Sequence, residues 1–377
     1  MNVVQNAEPG VPMLFDPITL RSLTIPNRVW MAPMCQYSAA TDGPEAGVPH
    51  DWHLSHLAAR AVGGAGLILT EATAVSPEGR ITPADLGLWN ERQERAFTRV
   101  TRFLQEHGTV PGIQLAHAGR KASPDRPWRG GGPVGVADGG WQPVAPSPIP
   151  FAENHPVPRE LTVEEIRRVV DDFAQAARRA LRAGFQVVEV HGAHGYLIGE
   201  FLSPHSNRRT DAYGGSFGNR IRLALEVVEA VRAVWPEELP VFFRVSATDW
   251  LTENPEDERE GWTVEETVLL AGELLSRGVD LLDVSSGGNA PHARVFTGPG
   301  YQVPFAARVR AETGMPVAAV GLITEPRQAE EILTSGRADA VLLGRELLRD
   351  PHWPHRAARE LEPSSSLSWP EQYGYAV

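Results

Sequence analysis

The sequence predicts an α/β fold in which eight parallel strands, each followed by a helix, close into a (β/α)8 TIM barrel. Eight short apolar runs recur along the chain, and each is followed by a polar or Gly-rich loop and then by a segment with helical spacing. The runs read VVEV, VFFRV, LLDV or VAAV, which is typical of strands buried on both faces. Because parallel strands need helical crossovers and a barrel leaves no open edge, eight such units in 377 residues favour a barrel.

The predicted elements alternate in order along the chain. The strands are expected at residues 28–35, 66–75, 110–117, 185–191, 241–246, 281–286, 317–321 and 338–344. Helical spacing marks residues 91–106, 163–181, 217–234, 264–276 and 327–335. In the third of these helices, Leu223, Val227 and Val231 recur at about one helical turn, so one stripe of the helix is apolar and is expected to face the sheet.

The main alternative is a doubly wound open sheet. That fold needs fewer strands and usually has a phosphate-binding loop after its first strand, whereas the first run here ends in MAPMCQYS without a glycine cluster. One dinucleotide-like pattern, Gly130, Gly132 and Gly135 in GGGPVG, has neither a strand before it nor a helix after it. We therefore interpret it as a loop.

Several segments depart from the barrel repeat. Three long excursions each follow a strand, at residues 120–160, 248–262 and 287–302, so all three are expected at the carboxyl face where barrel sites are built. The first of them, residues 120–160, is expected to form a lid or small subdomain. The segment PITLRSLTIPN resembles a short hairpin that could plug the opposite face. These features predict a single domain over residues 1–377, with a core at about 14–362 and a tail at 363–377.

Composition excludes several classes of protein. Lys and Arg number 35 against 47 Asp and Glu, a formal charge of −12, which argues against nucleic-acid and anionic-membrane partners. Cys35 is the only cysteine, so no intrachain disulfide can form and a reducing cytoplasm is expected. No apolar run approaches the roughly 20 residues of a membrane span, and the first residues lack a signal-peptide pattern, so no membrane partner is expected.

Polar residues gather where the predicted strands end. They are Cys35 and Tyr37, then Gln114, His117 and Lys121, then His191, His194 and Tyr196, then Arg244, and finally Gly344 with Arg345. His191 and His194 lie three residues apart, so they can converge only if the chain leaves the strand between them, and the neighbouring glycines permit such a turn. The two histidines could cap strand ends or bind a metal, although HGAH has no obvious third metal ligand nearby.

A phosphate site is predicted at the last two strands. Gly321 follows one strand, and Gly344 with Arg345 follows the next. In barrels this is the usual phosphate position, where backbone N–H groups and one Arg hold the dianion. Glycines at helix starts also occur without ligands, but the pair together with Arg345 favours a phosphorylated ligand.

Six motifs occur in a fixed order and identify a family. MAPMCQYS, IQLAHAGRKA, EVHGAHGYLIGEFLSPHSNRRTDAYGGSFGNRIR, RVSATDW, DVSSGG and LLGRELLRDP together resemble the Old Yellow Enzyme flavin reductases. They resemble in particular the bacterial subgroup sometimes called thermophilic-like, whose marker is a cysteine at the position of Cys35. The resemblance extends from about residue 14 to residue 363. It implies a barrel that holds non-covalent FMN, is reduced by NADPH and is reoxidised by an α,β-unsaturated aldehyde, ketone or similar small molecule.

The resemblance also implies which residues contact the cofactor. The match places Ala32, Pro33, Met34 and Cys35 along the isoalloxazine ring, with Ala72 beside it. It places Gln114 and Arg244 at the pyrimidine edge and N1 side of the ring. At the phosphate it places Gly321, Gly344 and Arg345, with Ser286 and Gly287 nearby. A positive Arg244 near N1 would stabilise the anionic reduced flavin. Cys35 could instead be a small buried hydrophobe, although we favour a weak S–H contact that tunes the flavin potential.

The substrate residues come from the same match. Tyr37, His191 and His194 match the substrate-binding set together with the intervening Gly192 and Ala193, Tyr196 matches the proton donor, and Lys121 falls in the same segment. Two histidine N–H groups aimed at one carbonyl oxygen would stabilise the charge that develops as hydride reaches the β-carbon. Tyr196 could alternatively be a packing residue whose hydroxyl bonds to backbone.

The resemblance further implies a homo-oligomer, either a dimer or a tetramer. Many members of the subgroup end in a tail with an Arg two residues after a Tyr, which reaches a neighbouring subunit's site. In this chain Tyr373 is present, but Tyr375 occupies the position of the Arg. Any such contact by an Arg from a neighbouring subunit is therefore absent.

Two other functions compete with an FMN-dependent NADPH ene-reductase. A metal-dependent barrel lyase or hydrolase would use HGAH and would be colourless and inhibited by chelators. A non-catalytic barrel that stores flavin would bind FMN without consuming NADPH. No metal site is predicted, because His191 and His194 lack a third ligand in the sequence.

Overall fold

The computed structural model describes residues 13–361 and 367–377, and a closed barrel of eight strands forms its centre. In chain order the strands are β1 (Ile18–Leu20), β2 (Leu23–Ile25), β3 (Val29–Met31), β4 (Leu67–Ala74), β5 (Val110–Ala116), β6 (Val144–Ala145), β7 (Arg159–Glu160), β8 (Val187–Gly192), β9 (Val241–Ser246), β10 (Leu281–Ser285), β11 (Val317–Val320) and β12 (Ala340–Leu343). The helices are α1 (Asp51–Val62), α2 (Glu91–Glu106), α3 (Val163–Arg182), α4 (Leu197–Leu202), α5 (Phe217–Arg220), α6 (Arg222–Arg232), α7 (Val264–Ser276), α8 (Val303–Thr313), α9 (Pro326–Thr334), α10 (Arg345–Arg349) and α11 (Trp353–Leu361).

Every neighbouring pair of barrel strands is parallel. The order is β3, β4, β5, β8, β9, β10, β11 and β12, and β12 closes the barrel by pairing with β3. Helices connect the successive strands, as a right-handed parallel crossover requires. This arrangement confirms the predicted (β/α)8 barrel and excludes the doubly wound sheet.

The amino-terminal end of the barrel is closed by apolar packing. Inward-facing residues near the strand starts, among them Trp30, Leu67 and Phe242, form one buried cluster with Ile18 and Ile25 of the antiparallel hairpin β1–β2. The Trp30 and Phe242 rings stack with their centroids 5.8 Å apart. The predicted hairpin plug is therefore confirmed, and the open end of the barrel is the carboxyl end.

The structure corrects several predicted boundaries. The first strand ends at Met31 rather than at residue 35, because the following residues leave the sheet and are held by other partners. The predicted helix 217–234 is divided into α5 and α6 by Ile221, a slight interruption since Ile221 keeps the helical angles φ −79° and ψ −12°. Helices α1, α4, α8, α10 and α11 lie outside the five helical segments named from the sequence.

The three predicted excursions are present as long connections. Residues 120–160 contain the short parallel pair β6–β7 and 3₁₀ turns, and the GGGPVG pattern lies between such turns as a loop. Part of the predicted tail, residues 363–366, lies outside the described residues. Within the part of the chain that the structure describes, none of the helices is both long and apolar enough to cross a membrane.

Candidate active site

The carboxyl end of β8 brings two histidines and a tyrosine together. After Gly192 the chain turns away from the strand, and His194 takes the left-handed φ of 59°. The next residue, Gly195, also has a positive φ of 69°, and a Cβ there would lie 2.5 Å from the Asn289 Cα, so only glycine fits. As a result the His191 ring lies 5.1 Å from both the His194 ring and the Tyr196 ring. The predicted convergence is confirmed.

Both histidines are neutral hydrogen-bonding groups. Burial, reinforced by the positive Arg244, lowers the pKa of His191 and of His194 well below the ordinary value. The Nδ1 atom of His191 accepts a hydrogen bond from the Ala193 N–H at 3.2 Å, so the single proton of this ring lies on Nε2. His194 is fixed at two points: its backbone N–H donates to the Ser246 Oγ at 2.9 Å, and its ring Nε2 lies 2.8 Å from the Ser285 Oγ.

Tyr196 is held as a protonated phenol. Burial raises its pKa well above the ordinary value, with further contributions from nearby acidic groups. The Lys121 ammonium lies 5.1 Å from the Tyr196 ring centroid and donates to the carbonyl oxygens of His194 at 2.8 Å and Gly288 at 2.9 Å. Burial lowers the pKa of Lys121 to about 8. The ammonium also lies 4.6 Å from the Phe151 ring centroid. The sequence placed Lys121 in this segment without a contact, and the structure gives it four partners.

A small apolar cluster packs beside Tyr196. Cys35, Tyr37 and Tyr196 pack against Ala72 and its buried neighbours. Burial raises the pKa of the Cys35 thiol well above its ordinary value, so Cys35 is a neutral thiol rather than a thiolate nucleophile. Tyr37 has a left-handed φ of 47°, and its carbonyl accepts a hydrogen bond from the Arg126 Nε of the 120–160 excursion at 2.8 Å.

The segment from Ala32 to Tyr37 leaves the sheet but is anchored at both ends. The Ala32 N–H donates to the Leu343 carbonyl at 3.0 Å, and the Gln36 N–H donates to the Glu71 Oε1 at 3.1 Å. Between these anchors Pro33 and Met34 are half-buried. Burial raises the pKa of Glu71 to about 8, so this carboxyl is largely protonated at pH 7. Glu71 was not among the predicted site residues, and its one signal in the sequence is an acid inside the apolar run LILTEATA.

A buried polar layer lies across the barrel interior above the apolar plug. The Gln114 Nε2 donates to the Glu189 carboxylate at 2.8 Å, and the Arg244 Nε lies 2.9 Å from the Asp283 carboxylate. The Glu189 Oε2 and both Asp283 oxygens have no well-aligned hydrogen bond among the described residues. Burial raises the pKa of both carboxyl groups, while Arg244 opposes that rise.

This layer explains how two predicted cofactor residues are oriented. Glu189 fixes the amide direction of Gln114, and Asp283 fixes the guanidinium of Arg244. Neither acid was among the predicted site residues. They alternate with valine or leucine in VVEV and LLDV, a period that marks them as facing the barrel interior.

A cavity of about 150 Å³ lies where β11 and β12 end. Gly321, Gly344 and Arg345 line it together with Arg349. Gly321 has a φ of 117°, and a Cβ there would lie 2.6 Å from the Gln302 Nε2. The Arg345 side chain is exposed and forms no ion pair or hydrogen bond with any described residue. The predicted phosphate residues therefore surround one cavity, and the Arg345 guanidinium beside it is available to a ligand.

Ser286 and Gly287 do not line this cavity. The Ser286 hydroxyl donates to the Gln302 Oε1 at 2.6 Å, and the Gly287 N–H donates to the Thr248 carbonyl at 2.8 Å. Both groups already have partners within the protein. Ser286 nevertheless lies near the phosphate residues, because its partner Gln302 also contacts Gly321.

The donor set fits a flavin mononucleotide. The Arg345 guanidinium beside two glycine turns matches one phosphate. The buried Gln114 amide and the buried Arg244 guanidinium match the pyrimidine edge of the ring. A metal fits poorly, because the described residues contain no group of three or more His, Cys, Asp or Glu side chains that could hold an ion. The metal-dependent alternative is therefore not favoured.

Comparison with known proteins agrees with this site. Residues 13–364 match the model of the NADH:flavin oxidoreductase / NADH oxidase family. An NADPH dehydrogenase of Geobacillus sp. (strain WCH70) is 48% identical over 363 residues, covering 96% of this chain and 98% of the relative. The NADPH dehydrogenase of Bacillus subtilis (strain 168) is 44% identical over 360 residues, with 96% and 98% coverage.

Solved structures show the same likeness. An Old Yellow Enzyme homologue from Zymomonas mobilis superposes with a TM-score of 0.76 at 30% identity, covering 95% of this chain and 99% of that chain. A morphinone reductase superposes with a TM-score of 0.74 at 33% identity, covering 93% and 90%. The chain thus belongs to the NADH:flavin oxidoreductase / NADH oxidase family and is an oxidoreductase, which confirms the resemblance to the Old Yellow Enzymes.

Proposed function

We propose that this oxidoreductase is FMN-dependent and uses NADPH to reduce the activated C=C bond of α,β-unsaturated carbonyl compounds by a ping-pong reaction. Nitro compounds and quinones are further acceptors of the same class. We base this chiefly on the protonated Tyr196, whose ring lies 5.1 Å from that of the neutral His191 at the open end of the barrel. The relatives named NADPH dehydrogenase support the choice of hydride donor.

Flavin binding is assigned to three groups of residues. The phosphate is held by Gly321, Gly344 and Arg345, and the pyrimidine side of the ring bonds to Gln114 and Arg244. The residues along the ring are Ala32, Pro33, Met34, Cys35 and Ala72. Ser286 and Gly287 support the site through their bonds to Gln302 and Thr248. When bound, FMN supplies the hydride chemistry, accepting hydride from NADPH and delivering it to the acceptor. The positive Arg244 favours the reduced, anionic form.

The substrate carbonyl is assigned to the turn after β8. His191 and His194 are neutral, so each can donate one N–H to the carbonyl oxygen, and the desolvated surroundings strengthen both bonds. Gly192 and Ala193 supply the backbone that joins them, and Tyr37 closes the other side of the substrate. This pair stabilises the negative charge that develops on the oxygen as the β-carbon accepts hydride.

Tyr196 then supplies the proton to the α-carbon. Its raised pKa keeps the proton on the phenol at neutral pH, and an enolate is basic enough to remove it. Lys121 lies over the same ring and stabilises the phenolate that remains after proton transfer. The proton returns to Tyr196 from solvent before the next cycle.

We also propose that residues 1–377 form one FMN-binding domain and that the protein acts in the cytoplasm as a homo-oligomer, a dimer or a tetramer. With Tyr375 in place of Arg, the tail contributes no guanidinium to a neighbouring site. Size-exclusion chromatography with light scattering measures the oligomeric state directly, and a monomer at all concentrations would contradict that part of the proposal.

Identification of the bound flavin tests the proposed cofactor. The purified protein is expected to be yellow and to release FMN on heating. Enone-dependent NADPH consumption should be unaffected by EDTA, which separates this function from the metal-dependent alternative. Release of FAD, absence of flavin after reconstitution, or loss of activity with the chelator would contradict the proposal.

A further inference from the structure

Ser285, the last residue of β10, occupies one nitrogen of His194. Its Oγ lies 2.8 Å from the His194 Nε2, so only Nδ1 remains to face a bound molecule. A neutral imidazole carries one proton, and its position decides whether Nδ1 donates or accepts a hydrogen bond. The direction of the Ser285 hydroxyl therefore determines what His194 can do for the substrate.

The neighbouring Gln302 has a fixed amide direction. Its Nε2 donates to the Val320 carbonyl at 3.0 Å, and because that carbonyl can only accept, the Gln302 Oε1 must point to the two serines. The Ser286 hydroxyl donates to this oxygen at 2.6 Å. Ser286 also receives the Trp250 indole N–H at 3.0 Å, so its own proton is committed to Gln302.

The Ser285 hydroxyl thus has two possible acceptors of unequal quality. The Gln302 Oε1 is 3.3 Å away and already holds the short bond from Ser286, whereas the His194 Nε2 is 2.8 Å away. In the reverse arrangement, His194 would donate to Ser285 and the Ser285 proton would go to the Gln302 Oε1, which is 3.3 Å away and already accepts the shorter bond from Ser286. Donation to His194 instead places the Ser285 proton in the 2.8 Å contact. We propose that Ser285 is a positioning residue, whose hydroxyl donates to the His194 Nε2 and so keeps the His194 proton on Nδ1.

The two histidines then present different ring nitrogens. His191 keeps its proton on Nε2, because its Nδ1 accepts the Ala193 N–H. His194 offers Nδ1–H, and both rings remain single donors because burial keeps them neutral. This inference rests on the proposed function, in which one carbonyl oxygen receives both N–H groups.

Phenol binding tests the role of Ser285, since a phenolate oxygen accepts the same two hydrogen bonds. In the FMN-loaded protein, Ser285→Ala is expected to weaken 4-chlorophenol binding about tenfold, the effect of one hydrogen bond, with unchanged FMN content. Ser285→Thr restores the hydroxyl and should recover most of the affinity. Ser147→Ala, which removes a buried hydroxyl bonded to the Arg208 N–H elsewhere in the chain, should have no effect. Equal affinity in Ser285→Ala and wild type would contradict the proposal.

A double-mutant cycle separates proton placement from packing. In His194→Asn the side-chain amide supplies an N–H near the Nδ1 position without help from Ser285. Adding Ser285→Ala to that variant should then change phenol affinity by less than about twofold, against about tenfold in the wild-type background. An equal loss in both backgrounds would show that Ser285 acts through packing alone.

Direct observation of the His194 proton decides the point even if the serine variants fail to fold. In wild-type protein labelled with ¹⁵N-histidine, the resonances lost in His194→Asn should show a protonated Nδ1 and an unprotonated Nε2. A protonated Nε2 would overturn the inference. Wild-type protein that neither binds 4-chlorophenol nor couples NADPH oxidation to an enone would count against the proposed function, whereas the nitrogen spectrum would still report on Ser285.

Discussion

Burial sets the protonation state of each residue that contacts the proposed substrate. The same desolvation keeps the proton on Tyr196 and removes it from one nitrogen of His191 and of His194, so the site contains one acid and two neutral donors at pH 7. Arg244 contributes in the same direction by raising the cost of a second positive charge. The chemistry of the site therefore depends on the exclusion of water as much as on the residue types present.

Replacing Tyr196 by Phe tests the proton donor. The change removes only the hydroxyl, so reduction by NADPH should persist, while reoxidation by an enone should slow by about 10²-fold or more. A quinone takes its protons at oxygen from water and should be spared. Stopped-flow traces with both acceptors provide the measurement.

Tyr213→Phe is the matched control, since its hydroxyl donates to Glu226. Equal enone rates in wild type and Tyr196→Phe would remove Tyr196 from the mechanism. In that case Tyr37 or solvent would be the next donor to test.

Removing Arg345 tests the phosphate site. Its guanidinium forms no hydrogen bond or ion pair with any residue that the structure describes. A charge-assisted bond to phosphate contributes about 1.5 to 3 kcal/mol, so Arg345→Ala should weaken FMN binding about tenfold to a hundredfold. Flavin fluorescence titration measures the Kd. Arg349→Ala is the control, because Arg349 lines the same cavity but is paired with Glu346. A similar loss in both variants would mean that general charge, not the Arg345 contact, holds the phosphate.

At the scale of elements, the β1–β2 hairpin is expected to stabilise the whole barrel. Ile25 is fully buried in the plug, so Ile25→Ala should lower the free energy of unfolding by about 2 to 5 kcal/mol. Thr24→Ala, on the exposed face of the same strand, removes only the 3.0 Å hydroxyl contact with Thr19 and should change it by less than about 1 kcal/mol. Denaturant unfolding followed by tryptophan fluorescence compares the two, and equal effects would contradict a sealing role for the hairpin.

The barrel elements were predictable because their signal is local. A strand buried on both faces must be a short apolar run, and the polar residue that ends the run marks the site face, as with His191 after VVEV. The first strand was predicted too long because MAPMC continues the apolar pattern after Met31. The Ala32 N–H still bonds to Leu343 of β12, but beyond it the backbone leaves the sheet, and the Gln36 N–H bonds to Glu71. Those partners are distant in sequence and leave no local trace.

The supporting residues of the site were not predictable for the same reason. Glu189 and Asp283 matter through the side chains that they orient, and Ser285 matters through the direction of one hydroxyl. Such contacts join different strands and depend on rotamers. A motif can place His194 near a substrate, but only the folded barrel shows which of its nitrogens is already engaged.

For the whole molecule, buried carboxyl groups make stability depend on pH. Burial raises the pKa of Glu71 and of Glu200 to about 8, from 4.5 in the unfolded chain. The folded state therefore retains protons that the unfolded chain releases, and this contribution is complete below about pH 4.5 and is lost as pH rises through about 8. Between these limits, each group lowers stability by up to about 1.4 kcal/mol per pH unit.

Glu71→Gln removes one of these titrations. The amide stays neutral, so the free energy of unfolding should fall less steeply between pH 5 and pH 8 than in wild type, as measured by urea unfolding at each pH. Glu106→Gln, at an exposed position on α2, should keep the wild-type slope. Parallel wild-type and Glu71→Gln profiles would show that Glu71 is already ionised in the folded protein.

The most direct test of the whole account is one anaerobic stopped-flow experiment on the purified holoenzyme. Mixing with one equivalent of NADPH should bleach the flavin absorbance, and a second mixing with 2-cyclohexenone should restore it while forming one equivalent of cyclohexanone. Absorbance that does not bleach with NADPH, or that bleaches and is not restored by the enone, would contradict the assignment as an NADPH-dependent ene-reductase.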